Sequence, residues 1–278
     1  MSVFSQTPIA AVADYWNRRP CNIRHSPEPV GTRAYFDQVR DRKYRIEPHI
    51  PGFADFPAWA GKRVLEVGCG IGTDTMSFAQ AGADVTAVDL SEASIELAQR
   101  RASVYGMTDR VRFVRGDAEQ LGTLVGDTGF DLVYSFGVIH HTPNPGAVLE
   151  QARRIIRPGG TLKVMVYHRY ATKVLGILAG RGFRVWDLDR LIAEQSEAQT
   201  GCPVTYSYTR ESARDLIESA GFTAKSIDID HIFPYRIKEY VKYQYRKRMP
   251  WRVMPASVFR GIERRFGWHV LVTAKAPS

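Results

Sequence analysis

Arg63-Val-Leu-Glu-Val-Gly-Cys-Gly-Ile-Gly72 joins a short β-rich apolar run to a glycine-rich turn, and a helical pattern follows to about Ala81. A run of that length bounded by glycine reads as a buried strand. The stretch is therefore strand, tight loop and helix, the opening unit of an α/β sheet. Asp84-Val-Thr-Ala-Val88 reads as a second strand ending at Asp89, and Ser91 is placed to cap a helix to about Val104, with Glu92 in its first turn. Val111–Arg115, Phe130–Ser135 and Thr161–Tyr167 read as further strands. Before the last of these, Gly146–Ile156 is helical, with Val148, Ala152, Ile155 and Ile156 on one face, and Arg157-Pro-Gly-Gly160 ends it. Strands alternating with helices at this rhythm imply right-handed βαβ units and a mostly parallel, Rossmann-like sheet covered on both faces.

Beyond Tyr167 the rhythm loosens. Residues 171–208 read as an insertion with a helical pair, Val174–Leu178 apolar and Leu188–Ala193 amphipathic. Thr209 caps a helix whose Ala213, Leu216, Ile217 and Ala220 share a face, stopped by Gly221. Ala224–Ile232 and His269–Ala274 are a sixth and a seventh strand, separated by a basic insertion over 234–268. Residues 1–60 read as a cap or lid, or else as an extension packed on the sheet. Tyr35–Ile46 in this segment is helical, and Pro48, Pro51, Gly52 and Pro57 break it into a loop. Residues 61–278 form the main domain.

The chain has 278 residues, 44% hydrophobic and 24% charged, enough to bury a core without staples. Cys21, Cys69 and Cys202 are widely spaced, which argues against a disulfide framework or a structural zinc site. The N-terminal residues lack the basic and apolar regions of a signal peptide, and no apolar run approaches a membrane span, so a cytoplasmic protein is expected.

A nicotinamide or flavin fingerprint, G-x-G-x-x-G/A, would require a small residue at position 73, where Thr73 stands. The spacing is instead E-x-G-x-G-x-G, led by Glu66. That suits S-adenosylmethionine, which has no pyrophosphate to seat but carries an ammonium and a hydroxylated ribose that want acceptors. Asp89, at the end of the second strand, can accept ribose hydroxyls in either cofactor class. Asp117, after the third strand, can accept an adenine amino group. All these acceptors fall at the carboxyl edge of the sheet, where α/β ligands bind.

These segments, with Tyr134-Ser-Phe-Gly-Val-Ile-His-His-Thr-Pro143 and Arg157-Pro-Gly-Gly160, resemble in order the signature motifs of class I S-adenosylmethionine-dependent methyltransferases. The likeness is to the small-molecule, ubiquinone-biosynthesis-like type and covers about residues 60–168. It implies a seven-stranded sheet with the last strand antiparallel. It also implies that Gly68, Gly70 and Gly72 pass beneath the methionine part and that Asp89 holds the ribose. Asp117 and Ala118 would contact the adenine, with Phe136 beside the cofactor and Glu66, Cys69 and Leu90 in the same site.

Methyl transfer from a sulfonium needs a positioned nucleophile and, for some acceptors, a base. His140 and His141, just past the fourth strand, are the base candidates; the competing reading makes them structural. Tyr35, Tyr44, Tyr167 and His168 are candidate substrate contacts, with His231, Tyr235 and the Tyr206-Ser-Tyr208 stretch as weaker ones. Each also suits plain packing. No metal is expected, since adjacent histidines usually point apart. The chain lacks the Asx/Ser-Pro-Pro-aromatic stretch of amino-methylating nucleic-acid enzymes and a cysteine placed for base C5-methylation.

Much of the formal net charge of +9 falls in residues 236–268, where basic side chains interleave with Tyr240, Tyr243, Tyr245, Trp251, Phe259 and Phe266. A solvated face docked on the domain ranks first, an anionic-substrate site second, and contact with nucleic acid or an anionic membrane third. The leading function is methylation of a small metabolite at O, N or C, such as an anionic or natural-product intermediate. RNA or protein methylation and a non-catalytic cofactor- or partner-binding module are the alternatives.

Overall fold

The computed structural model describes residues 4–126, 129–180, 188–199 and 201–278. Its centre is a seven-stranded sheet formed by β1 (Arg63–Val67), β2 (Asp84–Asp89), β3 (Val111–Arg115), β4 (Phe130–Phe136), β5 (Ile156–Tyr167), β6 (Thr223–Asp230) and β7 (His269–Lys275). The order is β3-β2-β1-β4-β5-β7-β6. The pairs from β3 through β5 are parallel, and β7 runs antiparallel to both β5 and β6. The seven-stranded, Rossmann-like architecture read from the sequence is thus the one observed.

Alternation along β1 sends neighbouring side chains to opposite faces. Leu65 and Val67 pack with Val148, Leu149, Ala152 and Ile155 of the helix Pro145–Ile155, and with Ala213 and Ile217 of Arg210–Ser219. Val64 faces the other layer, with Met76 and Phe78 of α4 (Thr73–Gln80) and Ile95 and Ala98 of α5 (Glu92–Tyr105). Ser91 caps α5, its hydroxyl accepting the Ser94 N–H at 3.1 Å.

The N-terminal segment carries α1 (Ile9–Arg18), α2 (Arg33–Ile46) and α3 (Ile50–Ala54). Here the structure departs from the loop expected after Ile46. Pro51 and Pro57 sit in the first turns of α3 and of a 3₁₀ turn at Phe56–Trp59, where a missing N–H costs nothing. Likewise Arg157-Pro-Gly-Gly160 does not stand between helix and strand: β5 already starts at Ile156 and carries the glycines through a register shift opposite Phe130 and Leu132.

The insertion after β5 contains Thr172–Gly180 and Leu188–Gln199 as helices; its residues 181–187 and Thr200 lie outside the described residues. In the basic segment, the Arg42 guanidinium of α2 lies 4.0 Å from the Tyr240 ring and 4.3 Å from that of Tyr243. It also donates to the Tyr240 carbonyl at 2.7 Å. These tyrosines therefore pack on α2, fastening the segment to the domain. Ala256–Phe266 is helical and buries Glu263 against the Ile232 N–H. No helix among the described residues is long and apolar enough to cross a membrane.

Candidate functional site

The carboxyl ends of β1, β2 and β4 open into a cavity of about 260 Å³, roofed in part by α1 and α2. The glycine loop forms one wall. Gly68 has φ +77°, and a Cβ there would meet the Val138 side chain at 2.2 Å. Only glycine fits both that backbone and that contact. Gly72, also at positive φ, is different. A Cβ on it would meet Ala98 Cβ at 3.1 Å, so it serves the close packing of α4 on α5 and does not line the cavity.

Glu66, Gly68, Cys69, Gly70, Asp89, Leu90, Asp117, Ala118 and Phe136 all line the cavity. The Asp89 carboxylate accepts the Gly70 N–H through Oδ2 and the Ser91 N–H through Oδ1, each at 2.8 Å. Those bonds fix the carboxylate and leave a further lone pair on each oxygen for hydroxyl donors. Burial raises its pKa, against the pull of the two backbone N–H groups. Asp117 is fixed in the same way, with Oδ1 accepting the Glu119 N–H at 2.9 Å.

Glu66 is enclosed, and its Oε2 accepts from the Thr75 hydroxyl at 2.5 Å. Burial first and the Asp74 charge second push its pKa up to about 8, against the Thr75 bond and Lys43. Asp74 is paired with Lys43 of α2 at 2.8 Å and accepts the hydroxyls of Tyr44 and Tyr134, each at 3.0 Å. Burial alone would lower the Lys43 pKa, but Asp74 and Glu47 outweigh it and the ammonium is held charged.

The adjacent histidines part company. His141 lines the cavity, and its Nδ1 lies 2.8 Å from the Val204 carbonyl. That acceptor places the ring proton on Nδ1 and the basic lone pair on Nε2. Trp16 of α1 packs edge-on to the His141 ring at 5.5 Å. His140 is fully buried outside the cavity lining, 4.0 Å from the Tyr167 ring, with no hydrogen-bond partner for either nitrogen among the described residues. Burial, then the charges of His141 and Lys173, drives its pKa well below the usual value.

Of the proposed substrate contacts, Tyr167 lines the cavity and the others do not. Tyr35 is wholly buried with Phe36, Val39 and Ile71, and its hydroxyl donates to the Ile23 carbonyl. Tyr44 supports Asp74 from beneath. His168 is buried with Nδ1 3.0 Å from the Gly267 carbonyl. Two of the weaker candidates also lie off the cavity lining: His231 is buried against His269, which lines it, and Tyr235 pairs with Lys247 in the basic segment.

Sequence reasoning missed Trp16, Lys43, Glu47, Asp74 and His269, all of which line the cavity. Asp74 had a legible signal, a carboxylate in the first turn after the glycine loop. Glu47 and His269 had none, because they meet only through the fold.

Residues 64–160 match the methyltransferase domain family. The chain is 39% identical over 119 residues to the 27-O-demethylrifamycin SV methyltransferase of Amycolatopsis mediterranei, an alignment covering 42% of each protein. It is 33% identical over 132 residues to a ubiquinone biosynthesis O-methyltransferase of Psychrobacter cryohalolentis, covering 47% of this chain and 51% of that one. The chain thus spans about half the length of the curated relatives it matches. Among solved structures, the magnesium protoporphyrin IX methyltransferase of Synechocystis, with bound SAH, aligns at a TM-score of 0.60 and 18% identity. That alignment covers 97% of this chain and 100% of that one, a likeness of fold. By its glycine loop, its sheet order and its matched segment, the chain carries a methyltransferase domain over residues 64–160 and is similar in fold to solved methyltransferases.

Proposed function

We propose that this chain binds S-adenosylmethionine at the carboxyl edge of β1, β2 and β3 and methylates a small metabolite, at an oxygen before a nitrogen or carbon. One observation carries the reading: the fixed acceptors Asp89 and Asp117, the Gly68 cradle and the ring of His141 line a single cavity. The relatives named as O-methyltransferases favour an oxygen acceptor.

S-adenosylmethionine supplies, when bound, a methyl group already activated on a sulfonium. The work of the chain is to bind, orient and exclude water. Asp89 receives the ribose hydroxyls and Asp117 the adenine amino group. Gly68 lets the backbone approach the methionine part. His141 Nε2 takes the proton of the acceptor hydroxyl, while the Val204 carbonyl holds the ring tautomer. Residues 1–60 act as a cap on the 61–278 domain, with Trp16, Lys43 and Glu47 closing the cavity above the sheet.

Calorimetry with S-adenosylhomocysteine tests the reading. Binding at one site per chain, with NAD giving no heat, is expected. Preference for NAD, or no binding of S-adenosylhomocysteine, overturns it.

A further inference from the structure

Four residues from three segments distant in sequence converge at one end of the cavity. Glu47 lies just past α2, His49 two residues on, His231 after β6, and His269 opens β7. His231 and His269 are buried, and their rings stack 4.6 Å apart. One ligand atom from each of Glu47, His231 and His269 lies within 4.8 Å of the others.

The proton positions in this cluster do not close by themselves. His49 Nε2 and His269 Nδ1 are 3.0 Å apart and share one hydrogen bond. Their outer nitrogens each face a carboxylate: His49 Nδ1 lies 3.7 Å from Asp230 Oδ1, and His269 Nε2 lies 3.6 Å from Glu47 Oε1. Two neutral rings hold two protons, one of which sits in the shared bond. One outer nitrogen therefore carries a lone pair facing a carboxylate oxygen, a place that either a further proton or a metal ion can fill. His49 Nδ1 makes no hydrogen bond among the described residues; with the shared proton on His269 Nδ1, the His269 Nε2 lone pair falls at the cavity, beside Glu47 and His231. A ligating histidine whose other nitrogen donates to a fixed partner is the usual outer-shell arrangement of a metal site.

The backbone points the same way. His231 has φ +73°, a left-handed conformation that costs a side-chain-bearing residue free energy. Trp268 N–H donates to its carbonyl and its own N–H donates to Asp230 Oδ1, each at 2.7 Å, holding the ring at the cluster.

We propose that Glu47, His231 and His269 bind one divalent first-row transition-metal ion on the cavity wall. Two imidazoles and a carboxylate are a known donor set for Zn(II) and for Fe(II) with open positions. At metal–ligand distances of about 2.1 Å, the 3.6 Å between His269 Nε2 and Glu47 Oε1 corresponds to an angle of about 118° at the metal. Glu47 and His269 also line the methyl-transfer cavity, so an open position of the ion faces it and suits an oxygen of the acceptor. Only that last role rests on the methyl-transfer reading.

The test is calorimetric titration of the chelator-treated 278-residue chain with Zn(II), followed by X-ray absorption on the one-equivalent complex. One equivalent with Kd of about 1 μM or tighter, and a shell of two imidazoles with oxygen, is expected. Glu47→Gln, His269→Ala and His231→Asn should each weaken binding at least about tenfold, and His49→Ala, which removes the outer partner, about 10–100-fold. Asparagine is chosen at 231 because it tolerates the left-handed backbone. No stoichiometric binding, sulfur in the shell, or undiminished binding in folded Glu47 and His269 variants overturns the site, the first of these meaning that a proton alone bridges the cluster. The absorption result on the unmodified chain stands even where a variant fails to fold. S-adenosylhomocysteine affinity, measured on the same preparation, separates a failed metal site from a failed cofactor assignment.

Discussion

The Lys43 ammonium of α2 lies 2.8 Å from Asp74 of α4, and with the Tyr44 hydroxyl it ties the N-terminal segment to the helix behind the glycine loop. Lys43 is 13% and Asp74 1% exposed at the side chain, so neither charge has water to fall back on. Removing one partner strands the other. Lys43→Met should therefore destabilise the fold by about 3–5 kcal/mol, read as a lower denaturant midpoint at unchanged slope. An unaltered midpoint would mean that the pair is not buried in solution.

Two glycines of one loop should fail differently. Gly68→Ala drives a methyl group into Val138 at the cavity wall, so S-adenosylhomocysteine binding should fall by tenfold or more. Gly72→Ala strains a left-handed position and presses on Ala98 between helices, so thermal stability should drop by about 1–3 kcal/mol while the remaining folded protein still binds. Calorimetry and melting curves on both variants check the contrast.

Asp89→Ala removes an acceptor fixed by Gly70 and Ser91 and leaves both N–H groups without it. A loss of about 1.5–3 kcal/mol in S-adenosylhomocysteine binding is expected, from the charge-assisted hydrogen bonds removed. Equal affinity in the variant would detach the ribose from this residue.

The histidine pair separates by role. His141→Ala should lower kcat by about 10²–10⁴ with cofactor affinity nearly intact. His140→Ala should act mainly on stability, since that ring fills a buried space against Tyr167. Full turnover in the His141 variant would leave the acceptor without this base.

Glu66 should give a pH signature. Its carboxyl is raised to about 8 in the folded chain, above the ordinary 4.5. Between those values the unfolded chain is ionised while the folded one keeps its proton, so the contribution is fully present below pH 4.5 and fades as pH rises towards 8. Stability of the parent relative to Glu66→Gln should therefore fall across that window and level off above it, as measured by urea unfolding at stepped pH. A pH-independent difference would refute the raised carboxyl.

The sequence by itself determined the sheet, the glycine loop and the carboxylates at the strand ends. Each depends on a local pattern: an apolar run, a glycine where the backbone must turn left-handed, a carboxylate at a strand end. Such patterns are legible because burial alternates with a fixed period along a strand or helix. The proline-rich stretch after Ile46 misled because proline ends one helix and starts another with equal ease, and only packing decides which. Which of His140 and His141 reaches the cavity was also undecided, since adjacent residues leave the backbone in different directions and only the tertiary structure orients them. The meeting of Glu47, His49, His231 and His269 was wholly tertiary. Antiparallel β7 returns its first residue to the end of β5, beside the N-terminal helices, and no local period records a contact between residues some two hundred positions apart.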